Sequence, residues 1–235
     1  MNKLLLWQEK LCGRLPAEMP YDGAIGEYQF VRRLTRSPAE SSFVIYRLQQ
    51  RPGDDLDVTV VGPKGVWVFE VKYWSGTIGW RNGRWFRVKS RRGAGGARAP
   101  EPVEVGQPPD QQWRRMTHEV EQTLRFRVPW LVARLPSLTR IRGGVVFTHP
   151  GASYDVAPDC PFEWGPIVYW VQQLGRAAVV PGLNERVVLQ VLDALLARHR
   201  EVAETGALLS MDVHAARLVQ ETEARLAEWV QDRVA

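Results

Sequence analysis

The chain has 235 residues, 45% of them hydrophobic, with 31 Lys and Arg against 26 Asp and Glu for a net charge of +5. That size and apolar content allow a sizeable buried core and exclude a disordered or fibrous chain. The basic balance, with a pI near 9.5, favours polyanionic partners without requiring one. The opening MNKLLLWQEKLCGRL is apolar only from Leu4 to Trp7, too short for a secretory signal core, and no apolar run reaches the length of a membrane span. Cys12 and Cys160 lie far apart and outside any ligand-spaced cluster. A cytoplasmic protein with reduced thiols and no membrane partner is therefore expected, a disulfide between the two being the alternative.

In chain order, residues 1–21, interrupted by Pro16 and Pro20, read as an N-terminal arm. Asp22-Gly23-Ala24-Ile25-Gly26-Glu27 opens a helix to about Thr35, capped by Asp22, with Ile25, Phe30, Val31 and Leu34 near one apolar stripe. Residues 42–48 (SFVIYRL) form the first strand. Two β-branched and aromatic runs, 56–61 and 66–71, flank Gly62-Pro63-Lys64-Gly65 and read as a hairpin. A second hairpin joins 77–80 to 84–88 through Arg81-Asn82-Gly83, Asn-Gly being a strong hairpin signal. Residues 89–107, rich in Gly, Pro and Arg, read as a loop whose Lys89, Arg91, Arg92 and Arg98 either reach phosphates or solvate a linker.

A helix follows over 108–127, with Asp110 as its cap and Trp113, Met116, Val120 and Leu124 spaced for burial. Next come an apolar strand at 144–148, an edge strand at 160–164 and a helix at 165–173. Two long helices, 184–200 and 211–234, flank a break at Thr205-Gly206 and end the sequence. The order predicts an α/β domain over 22–175, a mixed central sheet flanked by helices. Residues 176–235 form a C-terminal helical extension that packs on the core or serves a homodimer.

A hairpin symmetric about Pro63 and Lys64 sets Gly62 opposite Gly65 and Asp57 opposite Glu70. Opposed side chains on one sheet face have Cβ atoms about 4.5–5.5 Å apart, and like charges there repel. Lys72 falls on the same face, diagonal to Asp57. Leu56, Val58, Val60, Trp67, Phe69 and Val71 fill the other face, so three charges gather at one end of a hairpin buried on both sides. An ordinary Glu-x-Lys in a strand is a surface ion pair of small worth. Two carboxylates buried against one ammonium instead leave an unpaired charge, which suits a hard cation such as Mg²⁺ and, through it, phosphodiester hydrolysis with Lys72 orienting the attacking water. A one-residue register slip would substitute Asp54 or Asp55. Trp74, Trp80 and Trp85 stand beside Arg81, Arg84 and Arg87, an arrangement that either stacks on unpaired bases or packs a core. His118, His149, His199 and His214 form no ligand-spaced pair.

Gly26-Glu27 in the first helix, Asp57 before an apolar strand, Gly-Pro-Lys-Gly, then Val68-Phe69-Glu70-Val71-Lys72 and Trp74-Ser75-Gly76 resemble the nuclease-related domain (NERD), a branch of the PD-(D/E)XK nuclease fold. Gln107-Pro108-Pro109-Asp110-Gln111 is similar to that family's Asn-Pro-x-x-Gln segment, with Gln107 in place of Asn. The resemblance spans about residues 22–148. It implies a restriction-endonuclease-like core and a Mg²⁺- or Mn²⁺-dependent nuclease acting on nucleic acid, DNA rather than RNA, in repair, processing or defence. It implies that Asp57 and Glu70 are metal ligands with the Val71 carbonyl a third, that Lys72 is the catalytic lysine, and that Glu27 is a further acid near the metal. Gln111 would orient substrate or Lys72. From the residues alone, Glu27 reads first as a helix-dipole partner, the resemblance bringing the metal role level with it, and Gln111 reads alternatively as a capping or solvated helix residue. Two other readings stay open: a non-catalytic nucleic-acid-binding or interaction module on the same fold, and a structural protein whose acid cluster is only an ion pair.

Overall fold

The two apolar runs around Gly62-Pro63-Lys64-Gly65 pair as expected, and the rest of the sheet is laid down on them. In the computed structural model the described residues are 3–4, 22–36, 42–51, 54–88 and 103–207. They run β1 (Lys3–Leu4), α1 (Asp22–Thr35), β2 (Phe43–Arg51), β3 (Asp54–Gly62), β4 (Gly65–Lys72), β5 (Gly76–Arg81), β6 (Arg84–Val88) and β7 (Val103–Glu104). Then follow α2 (Pro109–Arg127), α3 (Pro129–Arg134), a 3₁₀ turn (Pro136–Thr139), β8 (Arg142–Phe147), β9 (Ala152–Val156), β10 (Trp164–Pro166), α4 (Ile167–Arg176) and α5 (Glu185–Ala207).

The central sheet is mixed, in the order β1-β2-β3-β4-β8-β10. The hairpin β3–β4 is antiparallel, and β8 joins β4 in parallel, with Trp67 beside Arg142 and Lys72 beside Phe147. Helices cover both faces, the three-layer solution that buries a sheet apolar on each side. One core holds Phe30, Val31 and Leu34 of α1 and Trp170 of α4 against Val58, Val60, Trp67, Phe69 and Val71. The other holds Met116, Val120 and Leu124 of α2 and Val191, Leu192 and Leu195 of α5 against Val61, Val66 and Val68. The fold class is thus α/β with a mixed central sheet flanked by helices, as the element order predicts.

A second sheet, β7-β6-β5-β9, departs from the single sheet expected. Its Ile78, Trp80 and Trp85 pack on Val145 and Phe147 of β8 in a third core. Strand β9 is not anticipated, and the edge strand expected at 160–164 lies at Trp164–Pro166, parallel to β8. The first strand runs on to Arg51. Asp110 does not cap α2: Pro108 holds the N-cap position, and the Asp110 carboxylate, buried in the first turn, accepts the Trp85 indole N–H at 2.8 Å. Asn184 does serve as a cap, its Oδ1 accepting the Val187 N–H at 3.1 Å. Helix α5 continues through Thr205 and Gly206, where a break was expected, since a lone helical glycine costs only about 1 kcal/mol. Residues 211–234, and with them the dimer expectation, lie outside the described residues. Cys160 is a free thiol, and Cys12 is outside the described residues. Among the described residues no helix is long and apolar enough to cross a membrane.

Candidate functional site

The β3–β4 register runs from Gly62–Gly65 to Val58–Phe69 and stops there, one pair short of Asp57 and Glu70. Beyond that point the Asp57 side chain takes over from the backbone. Its Oδ2 accepts the Val71 N–H at 2.7 Å, a donor that a continued ladder would give to the backbone of β3. In an extended residue the N–H and C=O project to the same side of the strand, so the Val71 carbonyl faces the gap that Asp57 occupies.

Arg47 explains why the ladder changes character here. It has φ 52°, a left-handed conformation that bulky residues avoid. Tyr46 pairs with Val58 and Leu48 with Leu56 across this point. Tyr46 and Val58 belong to the α1 side, Leu48 and Leu56 to the α2 side. Leu56 therefore leaves the face on which simple alternation puts it, because the chain rotates at Arg47 and Asp57.

Around Asp57 three further charges assemble. Glu70 on β4 is buried and pairs with Lys72. Glu27 is carried in by α1, and the preceding Gly26 permits the approach: a Cβ there would stand 2.4 Å from Thr148 Oγ1 and 2.9 Å from Tyr73 Cβ. Gly26 thus lets α1 dock on the ends of β4 and β8 and deliver a buried carboxylate. Arg47 grips Glu27 with a fork, Nε to Oε2 at 3.0 Å and Nη2 to Oε1 at 3.4 Å.

Asp57 carries the electrostatic consequence. Burial, then the charges of Glu70 and Glu27, push its carboxyl well above the usual range, and the Val71 N–H and Lys72 only partly offset them. Its side chain keeps partial solvent access while protein crowds the carboxyl. The structure therefore brings Asp57, Glu70, Lys72, Glu27 and the Val71 backbone together.

Other predicted residues are placed differently. Gln111 is exposed in the first turn of α2, and among the described residues its side chain makes no hydrogen bond to the cluster. Trp74 is half-buried against Phe147, ring centroids 5.8 Å apart, with the Arg87 guanidinium 6.0 Å from its ring centroid. Trp80 and Trp85 are buried, which favours core packing over stacking on bases. Arg81 and Arg84 are exposed beside the second turn, Arg81 paired with Asp155. Lys89, Arg91, Arg92 and Arg98 lie outside the described residues.

Sequence reasoning passed over Arg47 and Tyr73 and set His149 aside with the other histidines. Arg47 could have been found: it shares its alternation parity with Phe43 and Ile45, so it is a charge on a core-facing position that requires a buried partner. Tyr73 follows Lys72, and its ring meets that of His149 at 4.6 Å. His149 Nδ1 accepts the Gly151 N–H at 2.9 Å.

Whether a divalent cation suits the cluster is decided by donor chemistry. Among the described residues no three His, Cys, Asp or Glu side chains converge tightly enough to hold a metal between them. Glu70 is drawn to Lys72 and Glu27 to Arg47. Even so, hard carboxylate oxygens, a backbone carbonyl facing the same gap and the surplus negative charge of Glu70 and Glu27 around Asp57 fit Mg²⁺ or Mn²⁺ in kind.

A family model described as NERD, nuclease-related domain, matches residues 22–148, the span that contains α1, the β3–β4 hairpin, α2 and β8. No curated protein and no solved structure matches the chain.

Proposed function

The chain belongs to the nuclease-related domain family, and on that premise we propose that it is a metal-dependent nuclease hydrolysing phosphodiester bonds in DNA, in repair, processing or defence. The observation that carries the proposal is Asp57, a carboxyl held above its usual range by burial and by two facing carboxylates. Native structure tolerates such an arrangement where a cation or a reacting group uses it. Asp57, Glu70 and the Val71 carbonyl would hold Mg²⁺ or Mn²⁺, with Glu27 behind them. When bound, the cation supplies Lewis-acid polarisation of a phosphoryl oxygen and a water of lowered pKa.

The chain's own groups supply the rest. Lys72 Nζ, now paired to Glu70, orients the attacking water and offsets negative charge that grows on the phosphoryl oxygens. Arg47 holds Glu27 in place through its two-point fork. The Val71 N–H fixes the Asp57 carboxylate at the gap.

The test is incubation of the purified chain with single-stranded, duplex and branched DNA and with RNA, with Mg²⁺, Mn²⁺ or EDTA. Metal-dependent cleavage of DNA is expected, lost in Lys72→Ala and Glu70→Ala. Absence of metal-dependent cleavage, or full activity in both variants, overturns the proposal.

A second reading is favoured by one observation, that Glu70 and Glu27 are each closed on a cation of the chain itself. A non-catalytic module that retains the fold would bind DNA without cutting it, with an affinity that falls as salt rises. Titration with Mn²⁺ separates the two readings: binding abolished by Asp57→Ala supports the nuclease, and no binding supports the module.

A further inference from the structure

A cavity of about 720 Å³ opens at the other end of β4, lined by Trp67, Arg142 and Gly143 on the sheet, Trp113 and Arg114 on α2, and Arg176 on α4. Trp67, paired with Arg142, stands three residues before Glu70 on β4, which separates cavity and carboxylate cluster by about 10 Å along the strand. The two ends of one strand thus meet surroundings of opposite sign.

The three arginines are available. Among the described residues none of Arg114, Arg142 and Arg176 forms an ion pair with a carboxylate. Arg142 lies over the Trp67 ring at 5.5 Å and Arg114 over the Phe162 ring at 4.7 Å. Stacking of this kind fixes the guanidinium plane while leaving its edge N–H groups free to take an anion in a fork. Nor is Arg176 consumed in capping α4. Lys64 Nζ bonds the Leu174 and Gly175 carbonyls at 3.2 and 2.8 Å, and the Ala177 N–H bonds the Gln173 carbonyl at 2.9 Å. Glu163 is the one carboxylate among the lining residues, so three positive charges less one negative leave an excess of two.

The apolar walls are as fixed as the charges. Trp67 is buried with its indole N–H on the Lys64 carbonyl at 3.2 Å, and Trp113 gives its N–H to the Val68 carbonyl at 2.9 Å. Both indole donors are thus taken, and with Arg142 over the Trp67 ring it is the part-exposed Trp113 ring that is left to meet a ligand. Gln173 adds an amide able to both donate and accept. Forked cations beside immobilised rings, in a volume typical of small-molecule sites, match a ligand with a planar ring at one end and a phosphate at the other.

We propose that this cavity is a second binding site, for a nucleoside phosphate, with Arg114 and Arg142 taking the phosphate and the Trp113 ring taking the base. The group can come from a free nucleotide or from one unit of a strand. The site stands apart from the nuclease reading, because none of its residues belongs to the carboxylate cluster.

Calorimetric titration of the full chain in EDTA, which removes any cation from the other end, tests it with dAMP, deoxyadenosine, inorganic phosphate and a tetranucleotide with and without a 5′ phosphate. Binding of dAMP is expected at least about tenfold tighter than deoxyadenosine or phosphate, since hydrogen bonds to charged groups are worth a factor of ten or more. Arg114→Ala combined with Arg142→Ala should weaken dAMP at least about tenfold, and Lys at both positions should restore part of it, because charge returns without the fork. Glu70→Gln should leave dAMP binding unchanged. Tighter binding of dAMP than of the tetranucleotide identifies a free nucleotide as the source, and the reverse identifies a strand. The proposal is overturned if dAMP does not bind, if the double variant, shown folded by circular dichroism, binds as well as the parent, or if Glu70→Gln abolishes binding.

Discussion

Around the turn Arg81-Asn82-Gly83-Arg84 the ladder of β5 and β6 stays paired from Thr77–Val88 to Arg81–Arg84. Asn82 and Gly83 take φ 51° and 78°, as a turn of that twist requires. Its charges stay outside: Arg81 meets Asp155 with side chains 61% and 47% exposed. The β3–β4 hairpin follows the same rule at its turn and breaks it at its far end, where the ladder stops at Val58–Phe69 and Asp57 enters the gap. There Glu70 is buried, and its partner Lys72 is mostly so. Charge at a regular, solvated hairpin end is cheap and does little. Charge at an interrupted, buried one is costly, and the fold spends a helix, a glycine and a strained arginine to assemble it.

The largest effect expected from this contrast is on activity. Glu70→Gln and Lys72→Ala should lower metal-dependent DNA cleavage by about 10²–10⁴-fold, the range for removing a group that acts on the reacting centre. Arg81→Gln and Arg84→Gln, at the other hairpin, should change the cleavage rate less than about twofold at physiological salt, where exposed charges are screened. Rates measured on one substrate for all four variants would erase the contrast if the arginine variants lost as much as the acid and lysine ones.

Asp57 gives the next largest effect, on stability and with the opposite sign. Its carboxyl is raised by burial and by Glu70 and Glu27, so the native chain holds this proton to higher pH than the unfolded chain does. Between the ordinary value of 3.8 and the raised native one, the folded state binds more protons, and stability must fall as pH rises through that window. Above the window the full cost of the charge remains. Asp57→Asn removes it and keeps an oxygen for the Val71 N–H. The variant should melt higher at neutral pH by several degrees, at about 2–4 °C for each kcal/mol recovered, while losing cleavage. Saturating Mn²⁺ should raise the melting temperature of the parent and not of the variant. A variant that melts lower at neutral pH would mean that the Asp57 charge is already well compensated.

Arg47 follows, through two separable contributions. Arg47→Ala leaves the buried Glu27 without its fork, a loss of about 1–2 kcal/mol once the partial exposure of Arg47 is allowed for. Arg47→Gly loses the same fork but relieves the left-handed backbone at φ 52°, worth about 1 kcal/mol or more. Urea unfolding should therefore rank the glycine variant above the alanine variant, although glycine ordinarily weakens a strand. The reverse order would show that the backbone conformation there is not strained.

How far the sequence led depends on the range over which each feature is decided. The register of β3–β4 was legible because Gly62 and Gly65 settle it locally, and with it the nearness of Glu70 and Lys72 to Asp57, whereas Arg47 was not. The path of Leu56 was not, since it depends on Arg47 in a different strand. Asp110 reads as a cap because a first-turn aspartate usually serves its own helix; its partner, Trp85, is 25 residues away. Strand β9 escapes notice because Ala152–Val156 is only five residues long and half-exposed, its alternating Ala152, Tyr154 and Val156 too short a signal to stand out although they pack on the third core. Gly26 reads as an ordinary helix residue until Thr148 and Tyr73 arrive against it from distant strands.

The smallest effect is also the cleanest measure of what separates the two hairpins. A double-mutant cycle on Arg81→Gln and Asp155→Asn should give a coupling of about 0.2–1 kcal/mol that fades between low and molar salt. The same cycle on Arg47→Gln and Glu27→Gln should give a larger coupling that salt barely touches, because Glu27 is buried and gripped at two points. The two pairs carry the same charged groups, guanidinium and carboxylate, and differ by one methylene in the acid, so a large difference between the cycles reports burial and geometry. Equal couplings with equal salt dependence would mean that α1 merely places a surface ion pair beside the strand ends. A large, salt-resistant coupling at Arg47 and Glu27 would instead mark that pair as the brace that fixes a buried acidic side chain beside Asp57.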